Sequence, residues 1–268
     1  MKQCIDNPND VDWSGFWAEK LATKKDKDWD KAAPGFYKRT RKEDYQIALF
    51  DKLILDENDT VLDVGCGEGS VTIPIAKRVK KVIGLDSSPK MLEYLEKRAD
   101  ENGISNIETT LQPIEEISYD EIGDVDVVVC SRSLNGIIPI EKVLSELNRI
   151  ANKYVFITIF GPENKKIEKD FDRDLGIKTE DFPDYNYFFN ILFNMGIYAN
   201  VVRFDFNNYR EYESIEEAMD NGKFRLDLYS DEEKELLRDY LKRILTFEDG
   251  KYFNVKDKAD WVMVWWKK

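Results

Sequence analysis

Val61-Leu62-Asp63-Val64 runs directly into Gly65-Cys66-Gly67-Glu68-Gly69-Ser70, a short apolar stretch followed by three alternating glycines. This is how a strand gives way to a tight turn and then a helix. Such a turn lets a ligand reach the backbone without meeting a Cβ. The helix that follows offers unpaired N–H groups and a positive dipole end to a ligand carboxylate. Asp86 stands 21 residues after Gly65, at the tip of the next apolar run, Val82-Ile83-Gly84-Leu85. A carboxylate at that tip is placed to accept hydrogen bonds from two ribose hydroxyls. Strand, glycine turn, helix, strand and acidic tip in this order point to an adenosine-containing cofactor, bound where the sheet reverses direction.

The chain contains no histidine. That removes Ser-His-Asp and Cys-His nucleophile systems, His-ligated zinc and every histidine base. Proton handling falls to Asp, Glu, Tyr, Lys or Cys, or to the substrate itself. Cys4, Cys66 and Cys130 are far apart and form no C-x-x-C pair, which argues against a disulfide framework or a cysteine metal site and for a reducing cytoplasm. With 40 Lys and Arg against 53 Asp and Glu, the net charge is −13. That sign opposes nucleic-acid binding and docking on an anionic membrane. The opening MKQCIDNPND has no apolar h-region, and the longest apolar runs, 154–160 and 261–266, are strand-sized. A soluble cytoplasmic protein is expected.

The elements that must hold the glycine turn repeat in a βαβ rhythm over 42–160. Strands are expected at 61–64, 82–85, 107–111, 125–130 and 154–160. Between them come a helix over 71–79, which tolerates Pro74 only in its first turn, and one opened by Ser88 and Pro89 and stopped by Gly103. A third opens at Pro139 and faces the core with Val143, Leu144, Leu147 and Ile150. Continuously apolar short strands alternating with amphipathic helices mean a parallel sheet covered on both faces. Residues 1–40 read as an aromatic-rich helical cap. Then come an aromatic helix over 185–195, a strand over 197–206, an all-helical insertion over 207–257 and a last strand at 261–266. Capping boxes at Ser214/Glu217 and Ser230/Glu233 open the insertion's helices. One domain over 1–268 is expected, with a cofactor-binding core at 42–160 and a C-terminal part at 161–268.

Glycine spacing separates two adenosine cofactors. NAD sites carry G-x-G-x-x-G; here Gly65, Gly67 and Gly69 alternate and Asp63 precedes them by two. This resembles the D-x-G-x-G-x-G motif of class I S-adenosylmethionine-dependent methyltransferases over 42–160, and the last strand fits as well. The resemblance implies a doubly wound, mostly parallel seven-stranded Rossmann-like α/β sheet whose last strand lies antiparallel beside the sixth. It implies S-adenosyl-L-methionine as donor and S-adenosyl-L-homocysteine as product. On this resemblance Gly65, Cys66, Gly67 and Gly69 pass under the methionine part through their backbone, and Asp63 supports the loop and the cofactor's amino group. Asp86 holds the ribose, and Ser87 and Met91 lie near the adenosine. After the third strand the family often has an acidic and then a small residue, and Gln112-Pro113-Ile114-Glu115 departs from that. Ile114 is expected to flank the adenine, with the polar contact from Gln112 or Glu115. The tip of the fourth strand, Ser131, Arg132 and Ser133, lies where the family places groups between cofactor and substrate, and Cys130 before it reads as a buried apolar residue.

Methyl transfer from a sulfonium is an in-line displacement in which the enzyme holds donor and acceptor close, aligned and dry. A base is needed only where the acceptor must lose a proton; Tyr37, Glu115 or an acid of the N-terminal segment are the candidates. Arg132 either binds a substrate carboxylate or makes a structural salt bridge. A pocket for an apolar or cationic small acceptor is expected from Trp13, Trp17, Tyr37, Arg132, Ser133 and Tyr187, although most of these aromatics also suit plain packing. The other readings are a protein methyltransferase docking through 207–257, a non-catalytic S-adenosylmethionine-binding module, and an NAD oxidoreductase.

Overall fold

The computed structural model describes residues 11–24, 27–38, 44–164, 166–177, 182–205, 210–221, 224, 226–254 and 260–268. Cys4 and the MKQCIDNPND segment fall outside them. The chain divides into two compact units, one made of Met1–Phe160, Phe182–Phe204 and Trp261–Lys268, the other of Gly161–Asp181 and Asp205–Asp260. Sequence periodicity alone gives one domain.

The first unit is built on a seven-stranded sheet. Numbered along the chain, its strands are β1 (Thr60–Val64), β2 (Lys81–Asp86), β3 (Ile107–Leu111), β4 (Val125–Ser131), β5 (Ala151–Phe160), β6 (Asn200–Arg203) and β10 (Trp261–Lys267). Their order is β3-β2-β1-β4-β5-β10-β6. The first five are parallel, and β10 runs antiparallel to both β5 and β6. Val61, Leu62, Val64 and Val127 to Val129 are fully buried, with no polar alternation, because helices cover both faces. The doubly wound order reverses at β1, where the glycine turn begins.

Around this sheet lie α1 (Trp13–Leu21), α2 (Trp29–Lys38), α3 (Asp44–Lys52), α4 (Thr72–Ala76), α5 (Pro89–Glu101), α6 (Tyr119–Ile122), α7 (Ile140–Ile150) and α9 (Tyr185–Asn194). Ser88 caps α5 by accepting the Met91 N–H, with Pro89 in the first turn, and Gly103 follows its end at φ +65°. The helix buries Met91, Leu92, Leu95 and Ala99. α4 is shorter than the periodicity over 71–79 predicts; Pro74 is its third residue, and the helix ends at Ala76. Trp17 of α1 is completely buried, edge-on to Phe188 of α9 at 6.0 Å, and donates its indole N–H to the Ile137 carbonyl at 2.7 Å.

The second unit has its own apolar core of Phe171, Tyr212, Ile215, Tyr229, Leu237 and Leu241. It comprises α8 (Lys166–Asp174), α10 (Ile215–Asn221) and α11 (Asp231–Ile244), with a three-stranded antiparallel sheet of β7 (Arg210–Tyr212), β9 (Lys251–Asn254) and β8 (Thr246–Glu248). The insertion is therefore not all-helical. Asp249 and Gly250, at φ +49° and +80°, supply the two left-handed residues of a tight hairpin between β8 and β9. Ser230 and Glu233 form the expected capping box. At α10 the Ser214 hydroxyl accepts the Glu217 N–H, while Glu217 reaches the N–H of Glu213, one residue before the box geometry.

Candidate cofactor site

The glycine turn folds back on the end of β2. The N–H groups of Gly65 and Cys66 both donate to the Leu85 carbonyl, at 2.7 and 3.0 Å. Gly65 has φ +73°, and a Cβ built on it would fall 2.4 Å from Ser133 Cβ and 3.3 Å from Ile114 Cδ1. Glycine there allows β1, the β4 tip and the segment after β3 to converge. Gly67, at φ +55°, is open: a Cβ would meet only Met91 Sδ, at 3.9 Å. That open face is where a ligand can approach the backbone, and Met91 stands at its edge. Gly69 has a different reason, since a Cβ would strike Leu95 of α5 at 2.4 Å.

The Asp86 carboxylate accepts the Gly67 N–H on one oxygen and the Ser88 N–H on the other, both at 2.9 Å. The Ser87 N–H also points to this carboxylate, which keeps acceptor capacity for a ribose hydroxyl. Burial pushes the Asp86 carboxyl up, these N–H bonds pull it back, and the charge of Asp30 adds to the rise. Asp63 is fully buried and accepts the Thr72 hydroxyl at 2.7 Å, anchoring the start of α4 to β1. Burial raises its carboxyl to about 7; the Thr72 bond opposes this, and the charges of Asp86 and Glu68 add to it. Glu68, also buried, lies 3.8 Å from the Arg98 guanidinium of α5. Three acidic side chains thus lie around the turn, Glu68 facing Arg98 and Asp63 charged only above about pH 7, and such a site suits a sulfonium or an ammonium better than a pyrophosphate. The donor set and the open Gly67 face fit S-adenosylmethionine.

At the β4 tip the Ser131 hydroxyl lies 2.8 Å from the Tyr45 hydroxyl, which also bonds Thr158 Oγ1 at 2.6 Å. Thr158 Oγ1 in turn accepts the Arg132 N–H at 2.9 Å. Arg132 adopts φ +62°, and its guanidinium lies 4.2 Å from the Tyr45 ring and 5.9 Å from that of Trp261. Tyr45 and Thr158 are the members of this network that sequence reading missed. Tyr45 sits at helical spacing among apolar residues of α3, and Thr158 is the lone hydroxyl in the buried centre of β5, which was the available signal.

In the segment after β3 the two polar candidates have different surroundings. Gln112 donates its side-chain amide to the Glu116 carbonyl and the Glu121 carboxylate, at 3.2 and 2.5 Å, so it is engaged within its own segment. Pro113 is exposed and opens a 3-10 turn over Ile114–Glu116, whose Glu115 is half-buried and has its carbonyl held by Lys142. Ser87 is exposed beside Asp86. Burial pushes the thiols of Cys66 and Cys130 well above their ordinary range, so neither is poised as a nucleophile.

Tyr37 is not brought to the turn. Its ring stacks on Tyr94 at 4.5 Å and its hydroxyl donates to Glu101, the last residue of α5. Its hydroxyl is engaged there, which speaks against its place as base or pocket wall. Trp17 is likewise a packing residue with its polar atom satisfied, and Trp13 and Tyr187 pack edge-on to each other at 5.9 Å. The cap is instead tied to the site by Asp30 of α2, whose carboxylate accepts the Ser88 hydroxyl at 2.5 Å and the Lys90 N–H at 3.1 Å.

The sheet order, the glycine turn and the acidic tip define the class I S-adenosylmethionine-dependent methyltransferase fold. Residues 55–185 match the family model of a methyltransferase domain, and the chain has the fold of that class. It is 28% identical to an "uncharacterized protein" of Haemophilus influenzae over 83% of this chain and 81% of that one. A shorter segment, 26% of this chain, is 37% identical to a 23S rRNA (uracil(1939)-C(5))-methyltransferase of Aliivibrio fischeri and spans 16% of that protein. In fold it is similar to the methyltransferase candidate BH2331 of Bacillus halodurans, with a TM-score of 0.57 at 18% identity over 84% of this chain and 99% of that one.

Proposed function

We propose that this chain is an S-adenosylmethionine-dependent methyltransferase that acts on a small-molecule acceptor. Bound S-adenosylmethionine supplies a methyl group activated by its sulfonium. The chain's own residues bind and orient: Asp86 and Gly67 hold the ribose end, and the buried carboxylates at Asp63 and Glu68 favour the cationic end. The tip at Ser131 to Ser133 borders the space into which the acceptor comes. Proximity and alignment are the main catalytic devices.

The observation that carries the donor side of this reading is the ring of Asp63, Glu68 and Asp86 around the open glycine turn. On the acceptor side, the net charge of −13 supports a small molecule over RNA. The short stretch shared with an rRNA methyltransferase spans too little of that protein to bring an RNA substrate with it.

Calorimetry with S-adenosylmethionine and S-adenosylhomocysteine, with NAD as control, tests the donor side; binding of NAD alone would refute it. Asp86→Ala should weaken S-adenosylhomocysteine binding about tenfold or more, as loss of hydrogen bonds to a charged group does. Tritiated methyl transfer into fractionated extract then tests the acceptor. Label in the small-molecule fraction supports the proposal; label confined to protein or RNA sinks it.

A further inference from the structure

From Tyr185 to Val202 the chain carries no Lys, Arg, Asp or Glu, its longest such stretch. In a protein that is 35% charged, with a net charge of −13, that stretch is out of character. It comprises most of α9, the turn after it and most of β6. Its apolar side chains are not all spent on the core. Tyr198 is 78% exposed, Phe193 42% and Val201 41%, and the rings of Phe193 and Tyr198 meet edge-on at 5.7 Å.

β6 is also an edge of the seven-stranded sheet. Its inner side pairs with β10 in unbroken register, and the N–H of Phe204, the residue after it, donates to the Trp261 carbonyl at 2.9 Å. Successive N–H groups of a strand point to opposite sides. Those of Val201 and Arg203 therefore face outward, where no strand meets them among the described residues. Such edges are ordinarily guarded by charged side chains, proline or a bulge. The opposite edge has a charged guard in Glu108 of β3, paired with Lys81 at 2.8 Å. β6 has only Arg203, at its end.

We infer that β6 and the exposed flank of α9 are where a second copy of this chain docks. An acidic molecule repels its own copy wherever charged surfaces meet, and this strip presents no acidic group to repel. A charged partner would find almost no countercharge in it. Edge pairing is self-complementary about a two-fold axis normal to the sheet. That axis runs the two β6 strands antiparallel and keeps both α9 helices on one side. With Val201 opposite Val201, each Arg203 stands opposite Ala199, so the two guanidinium groups stay apart. Val201 shares the face of its β10 neighbour Val264, which belongs to the same core cluster as Ile191 and Leu192 of α9. The exposed Phe193 and Tyr198 rings thus lie on the side of the joint where the two valines meet.

Sedimentation of the full chain tests this, at concentrations up to about 100 µM and at low and high salt. A dimer is expected that dissociates on dilution and strengthens with salt, because salt screens the remaining repulsion between the copies. Val201→Pro removes only an outward N–H, so β6 keeps its bonds to β10, and Val201→Lys puts a charge into the joint. Each should weaken the dimer about tenfold or more, as loss of one cross-strand bond per copy does, with the far-ultraviolet circular dichroism unchanged. Should the proline variant misfold, the lysine variant alone decides. Wild-type chain that stays monomeric overturns the inference and leaves the strip to a different partner. So does a dimer that the variants retain, since its interface would lie elsewhere. An assembly that grows past the dimer overturns it too, because a two-fold joint closes.

Discussion

Asp63 is the residue whose environment makes the sharpest demands. Its carboxyl is raised to about 7 from an ordinary 3.8, so between these values the folded state holds a proton that the unfolded chain has released. Its contribution to stability is therefore complete below about pH 4 and lost as the pH rises through about 7. Asp63→Asn keeps an oxygen for the Thr72 hydroxyl and removes the charge. Melting curves should show it gaining more over wild type at pH 8 than at pH 5, by about 2–4 °C for each kcal/mol relieved. The same charge attracts a sulfonium, so S-adenosylmethionine should bind more tightly at pH 8 than at pH 6, and calorimetry on Asp63→Asn should find that dependence flattened. The chain has no histidine to blur the result. Arg132 supports a second comparison at this scale. Both Arg132→Ala and Arg132→Gly lose the guanidinium from the Tyr45 ring, but only glycine is at ease at φ +62°. Denaturant melts should place the glycine variant about 1 kcal/mol above the alanine variant; equal stabilities would mean the backbone there is unstrained. Asp63, Gly65, Gly67 and Asp86 were legible because their order along a βαβ unit is fixed by the turn they make. Tyr45, Thr158 and Asp30 were not, because their contacts join residues 113, 86 and 58 positions apart.

Among the elements, α2 holds the N-terminal segment to the cofactor site. Its Asp30 shares Ser88 with Asp86: one carboxylate takes the hydroxyl, the other the backbone N–H. Further along, Arg98 donates to the Tyr37 carbonyl at 2.8 Å and lies 3.8 Å from Glu68 of the glycine turn. Asp30→Ala should cost about 1 kcal/mol, the usual value of a helix cap. Hydrogen exchange should show faster uptake across 29–38 with β1 and β4 unchanged; uniform loss of protection would mean that α2 is part of the global core instead. Removing residues 1–40 outright is a poorer experiment, since it takes the fully buried Trp17 with it. The major helices and the sheet's parallel strands were readable from period and caps, as Ser88-Pro89 and Gly103 illustrate. The small sheet of the second unit was missed although Phe247-Glu248-Asp249-Gly250-Lys251-Tyr252 carries a hairpin signal, Asp-Gly between alternating aromatic and charged residues. Strands of three and four residues are too short for periodicity to reveal, and here only the turn announced them.

At the scale of the whole molecule, the end of the chain completes the sheet that the middle of the chain began. β10 lies between β5 and β6 and buries Val262, Met263, Val264 and Trp266. It is also in register with the site: Met263 pairs with Thr158, and Trp261 pairs with Phe160. Thr158 is the residue that holds both the Tyr45 hydroxyl and the Arg132 N–H. A chain ending at Asp260 would leave β5 as an open apolar edge, β6 with no partner in the sheet, and Thr158 on an unsupported strand. Exposed edges of that kind pair with other chains, so this truncation should accumulate as insoluble aggregate. Shortening by only Lys267 and Lys268 should leave both fold and S-adenosylhomocysteine binding intact, because neither residue is buried. Soluble yield and far-ultraviolet circular dichroism of the two truncations decide the matter. A soluble, cofactor-binding protein ending at Asp260 would mean that the antiparallel strand is an accessory to the parallel sheet and that the β4–β5 tips hold their geometry without it.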